Sequence, residues 1–221
     1  QKGQQETTLF CELEEAQHRK TIGIAKAWQH SQMKINGERV VKNSELAKPL
    51  PLQLIHPDSQ LLVNGGPSDK RRYLDWGVFH VEQSFVGFWQ EFRRTLKQRN
   101  AALQQGLPRN LVSVWDEAFV ESAQAIHGLR KKYVQGLSPH VQRSLLELMR
   151  LEEIDFHYHP GWDDSASLAE QLDHAWPRDR SMQHTSCGPQ RADLSIRINH
   201  VPVDKWLSRG QQKLFAAAML L

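Results

Sequence analysis

The sequence predicts a mixed α/β chain: a β-rich opening, then a helical arm, then a closing block of strand and helix. Three observations predict it. Apolar and polar residues alternate through 7–41, the apolar period lengthens to three and four residues from Phe85, and alternation returns at 153–159 and 193–198 before a last apolar helical pattern.

In the opening region Leu9, Cys11 and Leu13 point one way, Ile22-Gly23-Ile24 follows, and Met33-Lys34-Ile35 runs into Asn36-Gly37. Asn-Gly tolerates positive φ at both central turn positions, so the region reads as antiparallel sheet with a tight hairpin. A short helical segment from Ser44 to Lys48, with Ser44 as its cap, leads to Leu50-Pro51-Leu52-Gln53-Leu54-Ile55, an apolar run that reads as a buried strand. Pro57 and Gly65-Gly66-Pro67 then break the chain and start a new helix. Phe85, Trp89, Phe92, Leu96 and Leu103 form one helical seam, stopped by Gly106 and Pro108. Trp115, Phe119, Ile126, Leu129, Tyr133, Leu137 and Val141 form a second, which Gly136 and Pro139 are expected to break or kink. Two seams joined by a short loop predict an antiparallel helical pair. Residues 153–159 read as a strand, Ser167 to Met182 as a helix interrupted at Pro177, and Asp193 to Ile198 as a strand again.

Composition narrows the functional classes. In 221 residues, 28 Lys and Arg stand against 25 Asp and Glu, a net charge of +3. That surplus does not by itself make a nucleic-acid binder, but it permits a local basic surface. No apolar stretch approaches the roughly 20 residues needed to cross a bilayer. The opening Gln1-Lys2-Gly3-Gln4-Gln5-Glu6 lacks the apolar centre of a signal peptide. A cytoplasmic protein without membrane contact is expected, and Cys11 and Cys187, far apart in short β-like segments, are expected to be reduced thiols. The chain starts without Met and stops at Ala216-Ala217-Ala218-Met219-Leu220-Leu221, inside an apolar helical pattern, so it reads as a piece of something longer.

The densest chemistry lies in Leu207-Ser208-Arg209-Gly210-Gln211-Gln212-Lys213. Ser208 and Gln211 fit the S-x-x-Q capping box, in which two side chains reciprocally satisfy backbone N–H groups at a helix start. The same residues offer a hydroxyl, a close backbone approach at Gly210 and the positive end of a helix dipole, with Arg209 and Lys213 as added charge, all suited to a phosphate. On these residues alone, a plain capped helix and an anion site both stand.

LSRGQQK resembles the ABC-type signature of the RecF proteins, bacterial recombinational-repair ATPases related to Rad50 and SMC heads. Three further stretches are similar to that family in the same order: Gly65-Gly66-Pro67 with Arg71-Arg72-Tyr73-Leu74-Asp75-Trp76, Leu96-Lys97-Gln98-Arg99-Asn100, and Gly188-Pro189-Gln190-Arg191-Ala192-Asp193-Leu194. The matches run from about residue 50 to the end. The resemblance implies part of an ABC/SMC-type P-loop ATPase head, with an antiparallel β-rich lobe and an α-helical arm lobe. It divides the chain into part of lobe I at 1–80, the arm at 81–183, and strands with the signature helix at 184–221.

It also implies an ATP-binding, DNA-binding protein of replication, recombination and DNA-damage repair, including the SOS response, whose heads close as a homodimer around ATP and Mg²⁺. Ser208, Gly210 and Gln211 would contact the γ-phosphate bound to the partner, supported by Arg209 and Lys213. The implied DNA is duplex beside a single-strand gap, and the implied partners are RecR and RecO, which load recombinase. The sequence departs from the family in holding no Gly-Lys pair, hence no G-x-x-x-x-G-K-[ST], and no apolar strand ending in paired acids, since Asp163-Asp164 follows His159-Pro160-Gly161-Trp162. No catalytic residue and no metal ligand is assigned within the chain, which is expected to be unable to hydrolyse ATP alone. The family's His after Gly-Pro is Gln190 here.

Other residues carry two readings each. Gln53 precedes a loop where ABC-type ATPases place a Gln that reaches Mg²⁺ and the attacking water; a turn-stabilising Gln is the other reading. Arg71 and Arg72 contact nucleotide, DNA or an acidic partner surface, or pair with Asp69 and Asp75 at the surface. Arg93, Arg94, Lys97 and Arg99 form a basic run that serves as a DNA-facing stripe or a solvated helix face, with Arg130-Lys131-Lys132 as a weaker candidate. His157 and His159 share a strand face without an evident third ligand, and read as exposed polar residues rather than a metal site. The seven Trp residues read as packing. The competing overall reading is a non-enzymatic DNA-binding or scaffold module in which the capping box is only structural.

Overall fold

A computed structural model describes residues 6–15, 18–28, 30–151 and 153–221, so the opening Gln1–Gln5 read above for a signal peptide lies outside the described residues. The chain forms two compact units, 1–53 and 54–221.

In the first unit β1 (Glu6–Glu15), β2 (His18–Ala27), β3 (Ser31–Ile35) and β4 (Glu38–Val40) form an antiparallel meander in sequence order. The Asn36-Gly37 hairpin is present, with φ of 50° and 84°, and the Asn36 Oδ1 accepts from the Thr21 N–H at 2.8 Å. Register puts Leu9 opposite Ile24, Cys11 opposite Ile22, and Ile35 opposite Ile22 from the other side, so the predicted alternation collects these residues on one face. Two expectations are corrected here. α1 (Asn43–Ala47) starts before Ser44, with Lys42 at the N-cap position and no side-chain cap. The run Leu50–Ile55 is not a buried strand: 51–56 lack secondary structure, and Leu52, Leu54 and Ile55 are exposed. Pro51 cannot donate to a ladder, and among the described residues no strand pairs with the run.

The second unit opens with a 3₁₀ turn (Pro57–Gln60), α2 (Leu61–Asn64) and α3 (Pro67–Val81), whose first residue Pro67 has the φ a helix start wants. α4 (Phe85–Gln104) turns at Gly106, where φ is 67°, through α5 (Arg109–Val112) into α6 (Asp116–Met149). The two long helices pack antiparallel as expected: the Phe92 and Phe119 rings lie 5.5 Å apart, and Arg99 reaches Asp116. α6 runs unbroken through Gly136 and Pro139, contrary to the expected break, and α7 (Leu168–Met182) runs through Pro177. Gly136, Pro139 and Pro177 face solvent, where water can serve the carbonyl left without a partner, while the buried seam of Val134, Val141 and Leu145 continues on the other side.

β5 (Ile154–His159) pairs antiparallel with β6 (Asp193–Ile198), which pairs with the short β7 (Val201–Pro202). α8 (Val203–Trp206) and α9 (Arg209–Leu220) follow. Leu194, Ile196 and Ile198 of β6 share one core with Tyr73, Leu74, Val134, Leu145 and the Phe215, Ala216, Met219 face of α9. A second core joins Val78, Phe85, Phe92, Phe119, Ile126 and Leu172. Both cysteines are free, but Cys187 lies in the loop after α7, not in a strand. Among the described residues no helix is long and apolar enough to cross a membrane.

Candidate functional site

The capping box at α9 forms as the sequence predicts. Ser208 Oγ accepts from the Gln211 N–H at 3.4 Å, and Gln211 Oε1 accepts from the Ser208 N–H at 2.9 Å. Serine at the N-cap with Gln three residues on satisfies two helix-start donors, and leaves the hydroxyl proton unused by that exchange. Ser208, Arg209, Gly210, Gln211 and Lys213 are all exposed, and a Cβ at Gly210 would meet open space. Among the described residues neither Arg209 nor Lys213 enters an ion pair. The tip therefore presents a hydroxyl, two cationic side chains and the positive end of a helix dipole to solvent.

Gln212 holds this tip, and sequence reading missed it. It is 6% exposed. Its Nε2 donates to the carbonyls of Asp204 and Leu207 at 3.0 Å each, and its Oε1 accepts from Asn64 Nδ2 at 2.8 Å. The turn into the helix is thereby tied to α8 behind it and to α2 across the core. The signal was its place in the helical period, since 212, 215, 216 and 219 fall on one buried face.

The basic run on α4 divides. Arg93 lies over the Trp89 ring at 4.9 Å, Lys97 is exposed, and Arg94 is bound by Glu91 through contacts of 3.0 and 2.5 Å while also lying 5.9 Å from the Trp115 ring. The guanidinium bond holds the Glu91 carboxyl below its ordinary range. Arg99 does not belong to a DNA-facing stripe: it is 1% exposed, and donates to Asp116 at 2.8 Å, Asp179 at 2.8 Å and Thr185 Oγ1 at 2.9 Å. Its position on the seam of Phe92, Thr95, Ala102 and Leu103 carries it inward, where an unpaired charge would not persist. Arg130 is likewise 3% exposed, bound to Asp75 at 2.8 Å and to the Pro189 carbonyl at 3.0 Å, while Lys131 and Lys132 are exposed and pair with Asp164 and Glu82.

At the start of α3 the two arginines part. Arg72 projects into solvent 3.7 Å from Asp69; Arg71 is half-buried and donates to the Ala192 carbonyl at 2.8 Å. Burial, then the nearby Arg130 charge, push the Arg71 guanidinium below its ordinary value. Gln53 is exposed in the extended segment at the end of the first unit. His157 and His159 are exposed on one face of β5 with ring centroids 5.0 Å apart, as expected. Among the described residues no group of three His, Cys, Asp or Glu side chains is arranged to hold a metal ion.

In the Gly188-Pro189-Gln190 stretch, Gly188 has φ of 124°, and an added Cβ would collide with Gln190 and with the buried Phe119 ring, so only glycine fits. Gln190 Nε2 donates to the carbonyls of Cys187 at 2.8 Å and Thr185 at 3.3 Å, closing the loop on itself. Burial pushes the neighbouring Cys187 thiol up to about 11.

No family model matches the chain. It is 41% identical over 215 residues to the DNA replication and repair protein RecF of Haemophilus influenzae, covering 97% of this chain and 60% of that protein. It is 41% identical to RecF of Pseudomonas fluorescens, covering 96% and 59%. The chain thus spans about 60% of the length of the curated relatives it matches. Its fold superposes on solved structures of the recombination mediator protein RecF of the RecFOR pathway, in RecF-ATPrS and RecF-ATP forms, with TM-scores of 0.86 and 0.85 at 20% and 21% identity, over 98% and 99% of this chain and 62% of each of those.

Proposed function

We propose, on the premise that this chain belongs to the RecF family, that it is part of an ATP-dependent, DNA-binding repair protein and supplies the lid over a nucleotide held by a second copy. In this reading 1–80 belong to lobe I, 81–183 form the arm, and 184–221 carry the signature helix to the dimer face. The observation that carries it is the exposed Ser208–Lys213 tip, where a hydroxyl, a helix dipole and two cations without an ion pair among the described residues face outward. Those groups fit a terminal phosphate. ATP would supply that phosphate and draw two heads together, since affinity of the tip for it exists only in the closed pair. Arg209 and Lys213 would offset its charge, and Ser208 and the backbone at Gly210 would orient it. Mg²⁺ belongs with the nucleotide, and no step is assigned to it through the residues described. Gln53, exposed at the end of the first unit, would reach toward the nucleotide's Mg²⁺ and the attacking water in the same reading.

Arg93, Arg94, Lys97 and Arg72 are the exposed cations left for DNA once Arg99 and Arg130 are recognised as buried, Arg94 and Arg72 each beside a carboxylate, Glu91 and Asp69. RecO and RecR as partners, and gapped duplex as the DNA, belong to the same proposal. The test is Ser208→Arg in the intact protein, measured by light scattering with and without ATP. Loss of ATP-dependent dimerisation, with ATP still bound by the separate subunits, supports the lid. Unaltered dimerisation removes it in favour of a DNA-binding or scaffold module.

A further inference from the structure

Three arginines from three different helices converge on one short stretch of chain. Arg99 of α4 donates to Thr185 Oγ1 at 2.9 Å, Arg130 of α6 to the Pro189 carbonyl at 3.0 Å, and Arg71 of α3 to the Ala192 carbonyl at 2.8 Å. Two of them are backed by carboxylates: Asp116 and Asp179 hold Arg99, and Asp75 holds Arg130 while accepting from Trp89 Nε1 at 3.3 Å. Asp179 also accepts from the Ser186 N–H at 2.9 Å, and Asn100 Oδ1 accepts from both the N–H and the hydroxyl of Thr185 at 2.8 Å. The Gly188 N–H donates to the Gly161 carbonyl at 3.2 Å. Residues 185–192 are thus a strap whose polar groups are tied to α3, α4, α6 and α7.

The strap leads without interruption into β6. Leu194, Ile196 and Ile198 then lie in the core against Phe215, Ala216 and Met219 of α9, and Tyr73 of α3 donates to the Met219 carbonyl at 2.7 Å. Close-packed interiors transmit displacement because side chains have no free volume to absorb it. We propose that Arg71, Arg99 and Arg130 are positioning residues, which fix the 185–192 strap and, through β6, the placement of the α9 tip that caps the partner's phosphate. This rests on the lid reading above, and reassigns Arg71 from a phosphate contact to a structural donor. α4 exposes Arg93 and Lys97 on one face and turns Arg99 into the clamp on the other, so a DNA backbone drawn to the exposed face acts on a helix already fastened to the strap.

Arg71 is the position to test, because it is only half-buried and its bond runs to a neutral carbonyl. In the intact protein Arg71→Gln should raise the ATP concentration for half-maximal dimerisation about five- to tenfold, the effect of one lost charge-assisted hydrogen bond. ATP affinity of the separate subunits and the salt slope of DNA binding should not change. Arg71→Lys, which keeps the charge and a donor, should show a smaller shift. Dimerisation unchanged in Arg71→Gln overturns the proposal, as does a shallower DNA salt slope with normal dimerisation, which would make Arg71 a phosphate contact. Ser208→Arg in parallel separates the two ideas. If it abolishes dimerisation while Arg71→Gln is silent, the lid stands and the strap falls; if it too is silent, both fall.

Discussion

At the junction of α4, α6 and α7, Arg99 directs its donors to Asp116, Asp179 and Thr185 and is almost without solvent exposure; at the tip of α9, Arg209 and Lys213 stand in solvent and pair with nothing among the described residues. The side-chain chemistry is the same. At that junction Arg99 meets two carboxylates, so it holds helices together and has nothing left for a ligand. At the tip the helix-start donors are satisfied by a local exchange between Ser208 and Gln211, and the positive charge remains uncompensated. Charge density in a sequence therefore says little about binding until burial and pairing are known; the unpaired fraction of that charge is what a phosphate can meet.

The largest expected effect tests the saturated side of this contrast. Arg99→Ala leaves Asp179, itself fully buried, and part of Asp116 without counter-charge, and should cost about 3–5 kcal/mol of stability in urea unfolding. A loss under about 1 kcal/mol would mean that the junction is hydrated and the contrast overdrawn. Between the two regions lies Gln212, buried like the arm network but attached to the tip. Gln212→Leu should cost about 1–3 kcal/mol by leaving the Asp204 and Leu207 carbonyls and the Asn64 amide without their partner, while the Ser208–Gln211 cap survives. Stability equal to the parent chain would show that water replaces the side chain. The smallest stability change belongs to the exposed face of α4. Lys97→Glu should shift unfolding by no more than about 0.5 kcal/mol, and reduce the salt slope of DNA binding by about 1 to 2. An unchanged slope would leave α4 as a solvated helix.

How much of this could be read beforehand differs between residues for physical reasons. The Asn36-Gly37 hairpin, the antiparallel α4–α6 pair and the Ser208–Gln211 box are local or periodic, and each formed where the pattern placed it. Pro139 and Pro177 misled, because a helix interior tolerates proline when the carbonyl left unpaired faces water. Leu50–Ile55 misled in the other direction: an apolar run becomes a buried strand only when it pairs with a neighbouring strand, and among the described residues none pairs with it. Arg99 and Gln212 were legible in principle, since both fall on apolar seams. A polar residue at a seam position predicts a buried network, whereas the same residue read only for its charge predicts a surface.

The sequence by itself determined the order of sheet, helical arm, sheet and helix, the turn at Asn36-Gly37, the cap at Ser208 and the likeness to RecF proteins carried by four short stretches. These depend on interactions among residues a few places apart, or on patterns a chain carries whatever its partners. Only the tertiary structure decided which cations are free, that Arg71, Arg99 and Arg130 meet on one strap, and that Gln212 joins α9 to Asn64 across 148 residues of chain. Such contacts depend on which distant groups are brought within 3 Å and shielded from water, and no periodicity in one segment encodes the partner supplied by another.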